Sequence, residues 1–368
     1  MNKKIVLLYP YYNGISGAYN RYLFLEKLIK KTNFKVKLIV LKDRNFYSKY
    51  PKIFYKLFKF IQVELLIFFY SVLRNCYFIT DFNPSIIALF SKKVFIQIHD
   101  VSWQNKKFKR YNFLFYKILN FFIRYYSNIL TVSKTSMLAI IKVSGRKKRI
   151  SYLYNSVTEN YINESHTIGN HRDHLDNNMI SCRINSNLPN ILYIATLIPR
   201  KSHFDLLESL SNCETLLNVN LVGLPTDKKI LEFIQSRKSL IGNNIKSNIN
   251  FFPKLSQKEL CYLLLYSSAY ISTSMDEGFG IPVLEAKIYN VPLIIRDIKI
   301  NRELFTRATF FKSNIQLTSL LNNLKKLSNS EIQERKRIAS NINTENIKDP
   351  FNYLVLSEKL KDIISNST

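Results

Sequence analysis

The stretch STSMDEGFGIPVLEAKIYNVPLII, residues 272–295, predicts a strand, a tight loop and the N-terminus of a helix. An apolar run leads into the loop, and Pro282 suits the first helical turn, where its missing N–H is not needed. The backbone N–H groups of residues 278–281 would be unpaired there and could hold phosphate or sugar oxygens. Gly278 and Gly280 would let a ligand approach the backbone closely. The stretch therefore predicts a loop that receives an anion.

Two carboxylates, Glu277 and Glu285, stand eight positions apart around this loop. Carboxylates repel phosphate, so their expected partners are hydroxyl groups, which donate hydrogen bonds to ionised oxygens. A ligand that combines phosphate with several hydroxyl groups is a nucleotide sugar. The alternative interpretation is a buried α/β unit with two surface glutamates.

The same residues resemble the E-x7-E signature of the GT-B glycosyltransferases of family 4, usually written EGFGxPxLEAMAxGxPV. Here the sequence reads EGFGIPVLEAKIYNVPL, with Lys287 at the methionine position and Asn290 in place of a glycine. Asparagine tolerates the left-handed backbone conformation, so the helix can still end before Val291. The resemblance implies an α/β fold of the GT-B type, in which two Rossmann-like doubly wound domains face a central cleft.

A pair of cations, Arg200 and Lys201, follows the predicted strand at residues 190–195, and with Pro199 it is expected to open a helix. Two cations at a helix N-terminus oppose the helix dipole, and an anion between them would resolve this conflict. The residues resemble the family's G-x-L-x-x-R-K motif, with Ala195 replacing its glycine. The resemblance implies that they neutralise the donor pyrophosphate, which is also the leaving group.

Two stretches of the N-terminal half resemble the family as well. GISG, residues 14–17, follows the first predicted strand and matches a glycine-rich loop, so Gly14 and Gly17 are expected to face the nucleotide diphosphate; taken alone it is an ordinary turn. IHD, residues 98–100, places His99 where family members have a histidine near the reacting sugar. A lone histidine at the end of a strand is more often structural.

The resemblance implies a role for each of these residues. Glu285 accepts hydrogen bonds from ribose hydroxyls, Glu277 accepts them from the transferred sugar, and His99 contacts sugar hydroxyls. The family resemblance implies no metal ion, and the sequence offers no D-x-D candidate at a suitable strand end. It also implies no cofactor, and the nucleoside diphosphate sugar is a co-substrate. The expected catalytic residues are Glu277, His99, Arg200 and Lys201. The expected donor-binding residues are Gly14, Gly17, Arg200, Lys201, Glu277, Gly278, Phe279, Gly280, Ile281 and Glu285.

Apolar runs that alternate with polar loops predict the strands of doubly wound sheets. We expect an acceptor-binding Rossmann-like domain at residues 1–165 and a nucleotide-sugar-binding one at residues 188–342. Residues 166–187 are polar and lack periodicity, which indicates an interdomain linker. Residues 343–368 contain a predicted helix, which in GT-B proteins crosses back to the first domain.

Length and composition agree with two domains, since 368 residues with 46% hydrophobic content exclude a disordered chain. Four scattered cysteines show neither zinc-site spacing nor a disulfide scaffold, which fits a reducing cytoplasm. The histidines at positions 166, 171 and 174 lie in the predicted linker, where exposure to solvent is favoured over a metal site. No apolar run approaches the ~20 residues of a membrane-spanning helix.

The net charge of +28 implies an anionic partner, which could be nucleic acid, an acidic membrane face or a polyanionic substrate. The compositional bias of an AT-rich genome is an alternative cause. Basic aromatic helices are predicted from residue 51 to 73 and at residues 105–126, and residues 42–124 contain 15 Lys or Arg against 4 Asp or Glu. Such helices suit an anionic membrane surface. The alternative is that each packs its aromatic stripe on its own sheet.

Together these observations favour a retaining, metal-independent glycosyltransferase. It would move a hexose from a nucleoside diphosphate sugar to a polyprenyl-diphosphate-linked or other lipid-linked glycan, in lipopolysaccharide O-antigen or capsule synthesis. It would be cytoplasmic and peripheral on the inner face of the plasma membrane. The alternatives are a GT-B epimerase or sugar phosphorylase, and a basic nucleic-acid-binding protein. The last would require an RNP-like, helix-turn-helix or zinc pattern, which the sequence lacks, so we expect no nucleic-acid partner.

Overall fold

A computed structural model describes residues 4–12, 17–42, 52–82, 85–99, 113–146, 149–170, 184, 187–343, 347 and 350–367. The chain divides into two compact units. The first unit comprises Met1–Thr158 together with Lys348–Thr368, and the second comprises Glu159–Ile347. The boundary expected at residue 165 therefore falls inside the second unit, as does the start of the expected linker.

The first unit is built on a parallel six-stranded sheet in the order β2-β1-β3-β4-β5-β6. Its strands read as nearly continuous apolar runs, because helices cover both faces of a parallel sheet. The strands are β1 (Lys4–Tyr12), β2 (Lys35–Lys42), β3 (Tyr77–Asp81), β4 (Val94–Ile98), β5 (Asn128–Thr131) and β6 (Ile150–Tyr152). The helices that follow them are α1 (Gly17–Lys30), α2 (Lys52–Ile67), α3 (Ile87–Phe90), α4 (Phe113–Tyr125) and α5 (Lys134–Ser144).

Successive residues of β1 enter two different cores, one on each face of the sheet, because side chains alternate along a strand. Ile5 and Leu7 pack with α1, whereas Val6 and Leu8 pack with α2, α3, α4 and α5. The sheet of the first unit thus has one side covered by α1 and an opposite side covered by α2, α3, α4 and α5.

The aromatic stripe of α2 points away from the sheet. Phe54 is 62% exposed and Leu57 is 55% exposed, while Val63 and Ile67 on the opposite side are buried in the core. For this helix, the alternative that the stripe packs on its own sheet is therefore wrong. Of the second predicted basic aromatic helix, residues 105–112 lie outside the described part of the chain, and the rest forms α4.

The second unit contains another parallel six-stranded sheet, in the order β12-β11-β10-β7-β8-β9. The expected α/β class with two doubly wound sheets is thereby confirmed. The strands are β7 (Asn190–Ile194), β8 (Asn218–Val222), β9 (Asn248–Phe252), β10 (Ala269–Ser272), β11 (Leu293–Arg296) and β12 (Thr309–Phe311). The helices are α6 (Glu159–Asn170), α7 (His203–Ser211), α8 (Lys228–Ser236), α9 (Gln257–Tyr266), α10 (Ile281–Ile288), α11 (Lys299–Leu304), α12 (Asn314–Asn322) and α13 (Asn329–Asn341).

Helix α6 replaces the first part of the predicted linker. It buries Tyr161, Ser165 and Ile168, whose spacing of four and three residues places them on one side of the helix. At Gly169 an added Cβ would lie 2.4 Å from the backbone nitrogen of Ser340, so glycine permits the close approach of α6 to α13. Small polar residues supply part of this buried side, which is why the stretch looked aperiodic.

The last helix of the chain, α14 (Tyr353–Ser365), belongs to the first unit. Tyr353, Leu356 and Leu360 join the core on the α1 side of that sheet. The Tyr353 hydroxyl donates a hydrogen bond of 2.9 Å to the carbonyl oxygen of Val157. The chain end is thus tied to the end of the first unit's own N-terminal segment.

Candidate active site

The strand order of the second sheet reverses between β7 and β10. In parallel sheets of this kind, the loops at the carboxyl ends of the two central strands diverge and leave a crevice, where ligands bind. The loop after β7 carries Arg200 and Lys201, and the loop after β10 carries Glu277. The fold therefore brings together the two most specific motifs of the sequence.

Arg200 and Lys201 lie in a short 3-10 turn, Pro199–Lys201, rather than in a helix N-terminus as expected. The α-helix begins one residue later, after Ser202, which adopts the left-handed conformation with φ 51°. Met275 of the facing loop donates its backbone N–H to the carbonyl oxygen of Arg200 at 2.9 Å. The two cations are therefore held by main-chain contacts at the crevice.

Three charged side chains meet in this crevice. Lys201 Nζ forms an ion pair with Glu277 Oε1, and Arg200 Nη1 lies 3.8 Å from Glu277 Oε2. Arg200 Nη1 also donates to the carbonyl oxygen of Asp276 at 2.9 Å. The side chains are only 12–24% exposed, and two cations facing one carboxylate leave a net charge of +1. Because charges interact more strongly away from water, this cluster attracts an anion.

Polar residues at the end of β10 and in β7 support the 3-10 turn. The Thr273 hydroxyl contacts the carbonyl oxygens of Lys201 at 3.0 Å and Ser202 at 2.8 Å. The Tyr193 hydroxyl donates to the same Lys201 oxygen, and the Tyr193 ring packs on His203 with 4.9 Å between centroids. Burial, reinforced by the nearby Lys201 charge, lowers the pKa of His203 to about 4, so this ring is neutral at physiological pH.

Helix α10 begins at the glycine-rich loop as predicted. Gly280 has φ 89°, in the left-handed region that glycine adopts without strain, and Pro282 lies in the first turn. Among the described residues, none accepts a hydrogen bond from the backbone N–H of Gly278, Gly280 or Ile281. These donors can hold an anion at the positive end of the helix dipole. At the other end Asn290 has φ 56°, which confirms that asparagine can replace the family's glycine there.

Glu285 lies on α10, and its carboxyl group has no hydrogen bond or ion pair with any residue that the structure describes. Although the residue keeps some exposed surface, burial of the carboxyl group raises its pKa to about 8. Hydroxyl donors would stabilise its ionised form. The Tyr161 hydroxyl donates to the backbone carbonyl oxygen of Glu285 at 2.9 Å, which fixes α10 on α6.

In the first sheet the strand order reverses between β1 and β3. Gly14, in the loop after β1, lies outside the described residues, and Gly17 is the first residue of α1. His99 follows β4, and its Nε2 lies 2.9 Å from Oδ1 of Asp81, the last residue of β3. The Tyr22 hydroxyl donates to the same oxygen at 3.0 Å. Asp81 therefore orients the His99 ring.

A buried arginine, Arg21, connects this group to the neighbouring strands. Its guanidinium donates to Gln97 Oε1 at 3.2 Å and to the carbonyl oxygens of Leu153 and Tyr154 at 2.9 Å each. Burial lowers the pKa of Arg21 to about 9. Sequence reasoning missed Arg21, Tyr22 and Asp81. The position of Asp81 at the end of a buried strand was the available signal.

Only part of the predicted polar stretch is described by the structure. His166 lies half-buried on α6, where its Nε2 contacts the carbonyl oxygen of Ile342, and not in the solvent-exposed loop that we expected. His171 and His174 fall outside the described residues. Within the part of the chain that the structure describes, no three His, Cys, Asp or Glu side chains converge as metal ligands would.

Residues 176–345, just under half of the chain, match the family model described as Glycosyl transferases group 1. Over 77 residues the chain is 35% identical to the O-antigen chain mannosyltransferase RfbU of Salmonella typhimurium, covering 20% of this chain and 21% of that protein. Over 125 residues it is 30% identical to the serotype-specific mannosyltransferase WbdA of Escherichia coli, covering 32% of this chain and 14% of that protein. The chain thus spans about a fifth or less of these relatives.

Anabaena HepE, solved in complex with UDP and glucose, has a similar structure with a TM-score of 0.66. The similarity covers 99% of this chain and 100% of that chain at 13% sequence identity, so it concerns the fold alone. The family-model match and the mannosyltransferase relatives support a transferase enzyme. The second unit of this chain contains the residues that match the group 1 glycosyl transferase model. With its two parallel six-stranded sheets, the chain has a two-domain α/β fold of the GT-B-like class, as its structural neighbour does.

Proposed function

We propose that the protein is a retaining glycosyltransferase that moves a hexose from a nucleoside diphosphate sugar to a glycan acceptor without a metal ion. The observation that carries this proposal is the crevice of the second sheet. There, Arg200 and Lys201 from the loop after β7 meet Glu277 from the loop that leads into α10, and the three side chains carry a net charge of +1. At the start of α10, the backbone N–H groups of Gly278, Gly280 and Ile281 have no acceptor among the described residues. The carboxyl group of Glu285, on the same helix α10, has no partner among them either. Cations and N–H groups suit a pyrophosphate, and the carboxyl suits ribose hydroxyls.

In the proposed reaction, the bond between the anomeric carbon and the diphosphate oxygen breaks, and its electron pair stays on the phosphate. The acceptor hydroxyl oxygen bonds to the anomeric carbon on the same face, so the configuration is retained. Its proton passes to the leaving phosphate, and no protein nucleophile takes part. The products are a glycoside and a nucleoside diphosphate.

Arg200 and Lys201 stabilise the negative charge that grows on the leaving phosphate in the transition state. Glu277 keeps both cations in the crevice. A carboxylate has about four acceptor sites, so Glu277 can also accept a hydrogen bond from a hydroxyl of the transferred sugar. The resemblance assigns His99 to the sugar hydroxyls, and its hydrogen bond to Asp81 supports a fixed ring.

Glu285 is assigned to the ribose of the donor. Its raised pKa means that the unliganded carboxyl is largely protonated at neutral pH. Ribose hydroxyls that donate to it favour the ionised form, so donor binding lowers the pKa and releases a proton. This linkage makes donor affinity depend on pH.

The relatives favour a more specific proposal for the substrates. Two of them are mannosyltransferases, so mannose is the first hexose to test, and the O-antigen relative favours a glycan of lipopolysaccharide assembly. We propose a lipid-linked acceptor, such as a polyprenyl-diphosphate-linked glycan, at the inner face of the plasma membrane. The high positive charge of the chain supports an anionic membrane as a partner.

The direct test is to incubate the protein with UDP-, GDP- and dTDP-sugars separately and to measure which nucleoside diphosphate is released. We expect slow release from one nucleotide class, and faster release when a lipid-linked glycan is added. Failure of all three nucleoside diphosphates to bind the folded protein at millimolar concentration would overturn the proposal. Release coupled to epimerised sugar, with no glycoside formed, would instead identify an epimerase.

A further inference from the structure

Helix α2 and the π-helical turn that continues it, Phe68–Leu73, present a long apolar face to solvent. Nine of its large apolar side chains are between 40% and 63% exposed. They recur at helical spacing and therefore lie on one side of the helix. These residues are Phe54, Leu57, Phe58, Ile61, Leu65, Phe68, Phe69, Val72 and Leu73.

This exposed apolar face lies opposite the side of α2 that packs in the core. Val63 is 1% exposed and Ile67 is 0% exposed, and both pack in the core beneath the sheet. A surface helix of a soluble domain has one apolar side and one polar side. Helix α2 is apolar on both, so its outer side is not explained by folding.

The neighbouring helices continue the pattern. We call α2 with its π-helical turn, α3, α4 and α5 the outer helical layer, because all four pack on the same core of the first sheet. Of the 23 large apolar side chains exposed among the described residues, 15 belong to this layer or to Ile86 just before α3. They include Phe90, 81% exposed, and Phe121, 53% exposed. Large exposed apolar patches mark interaction sites.

Charge indicates what covers this surface. In the sequence, residues 42–124 contain 15 Lys or Arg against 4 Asp or Glu. Among the described residues, Lys117 and Arg124 are exposed on α4, and Arg74 is exposed just after the π-helical turn. The one described acid on α2, Glu64, accepts the backbone N–H groups of Ile86 and Ile87 at 3.1 Å and 3.2 Å. Apolar side chains among cations match an anionic lipid surface.

A second copy of the chain matches less well, because it would bring two chains of net charge +28 together. Among the described residues no helix is long and apolar enough to cross a membrane. An amphipathic surface of this kind lies in the plane of the headgroups, with its apolar side chains reaching about 5–10 Å into the boundary with the acyl chains.

We infer that the outer helical layer docks the protein on an anionic lipid bilayer, with the exposed face of α2 inserted at the headgroup boundary and Arg74, Lys117 and Arg124 near lipid phosphates. This inference adds a membrane-docking surface to the proposed function. It rests on that function only in the assumption that the acceptor is linked to a lipid. Of the two basic aromatic helices predicted from the sequence, it assigns the inserted apolar face to the first, which forms α2 and its π-helical turn.

The test uses vesicle co-sedimentation with three forms of the full chain. The first is wild type, and the second combines Leu57→Gln, Ile61→Gln and Leu65→Gln on α2. The third is a matched control with the same residue types at exposed positions of the second unit, Leu216→Gln, Leu240→Gln and Ile241→Gln. We expect wild type and control to bind phosphatidylglycerol vesicles, and the α2 variant to bind about 100-fold more weakly.

A charge variant, Arg74→Gln with Lys117→Gln and Arg124→Gln, leaves the apolar face intact and guards against a folding defect in the α2 variant. We expect it to lose binding as well, and wild-type binding to weaken as salt rises from 0.1 to 1 M because the Debye length falls from ~10 Å to ~3 Å. Binding to phosphatidylcholine should be much weaker.

Equal vesicle binding by wild type and the α2 variant would overturn the inference. So would a wild-type dimer that the α2 substitutions convert to a monomer, because the face would then be an interface between copies. Nucleotide release in solution, measured on the same samples, separates the two proposals. If wild type binds vesicles but no nucleotide, the proposed function fails and the docking surface stands.

Discussion

Both units are built on a parallel six-stranded sheet, but they differ in the chemistry of the groups that they leave available for binding. The second unit places them in a crevice, where a net positive cluster, unpaired N–H groups and a raised-pKa carboxyl await a small polar ligand. The first unit places apolar side chains on its outer helical layer: among the residues that the structure describes, 15 of the 23 exposed large apolar side chains lie on or beside those four helices. The polar groups of the second unit suit a soluble donor, and the apolar surface of the first unit suits a lipid surface. The two units therefore differ in the kind of ligand that their exposed groups can bind.

The largest expected effect concerns the cations of the second unit. Arg200→Ala and Lys201→Ala should each lower kcat by about 10²–10³-fold, because charge on the leaving phosphate grows in the transition state. Donor KM should rise less than kcat falls. Steady-state kinetics with Lys312→Ala as a control, an exposed lysine of the same unit, would check this. An effect confined to KM would mean that the cations hold only the ground state.

A smaller effect is expected in the first unit, at Asp81. Asp81→Asn keeps the shape of the side chain but removes the carboxylate that orients His99, and we expect kcat/KM to fall on the order of 10–100-fold. His99→Ala should cost a similar amount, and the double variant should cost little more than either single variant. Additive losses in this double-mutant cycle would show that the two residues act independently.

Two glycine substitutions, one in the donor loop and one in an ordinary turn, should have similar effects on stability but different effects on nucleotide binding. Gly280 and Gly242 both have positive φ, so Gly280→Ala and Gly242→Ala should each destabilise the fold by about 1–2 kcal/mol in urea unfolding. Only Gly280→Ala should also weaken nucleotide binding, because relief of the positive φ would shift the backbone N–H groups of the loop at the start of α10. If both variants bound nucleotide like wild type, the loop would not contact the donor.

No effect is expected from chelation. In the proposed mechanism Arg200 and Lys201 take the place of a carboxylate-held Mg²⁺, so nucleotide release should persist in EDTA. Activity that is lost in EDTA and restored by Mn²⁺ or Mg²⁺ would show that the metal-independent mechanism is wrong.

The parts of the molecule that could be predicted are those with a local signal. Strands such as β4 can be predicted because they are continuous apolar runs. The loop before α10 can be predicted because its glycines, its proline and its two glutamates, which together suit a nucleotide sugar, lie within a short stretch of sequence. The pairing of Glu277 with both cations was not foreseen, since it joins loops about 76 residues apart in the sequence. Asp81 and Tyr22 were missed for the same reason. Helix α6 was missed because serine and glycine supply part of its packing side, and the outward direction of the α2 stripe depends on what covers the sheet.

The donor site of the second unit is the central claim, and nucleotide titration as a function of pH tests it most directly. Wild type and Glu285→Gln should bind the preferred nucleoside diphosphate almost equally at low pH, where Glu285 is protonated and neutral in the free protein. Donor binding lowers this pKa, so wild type should become progressively tighter than the variant as pH rises towards the free-protein value of about 8, and the difference should level off above it. The full difference should be about 10–150-fold, the equivalent of ~1.5–3 kcal/mol for hydrogen bonds to a charged group. The nucleotide's own ionisation affects both proteins equally, so it cancels in the ratio of the two affinities. A ratio of affinities that stays constant from pH 6 to pH 9 would contradict the assignment of Glu285 to the donor.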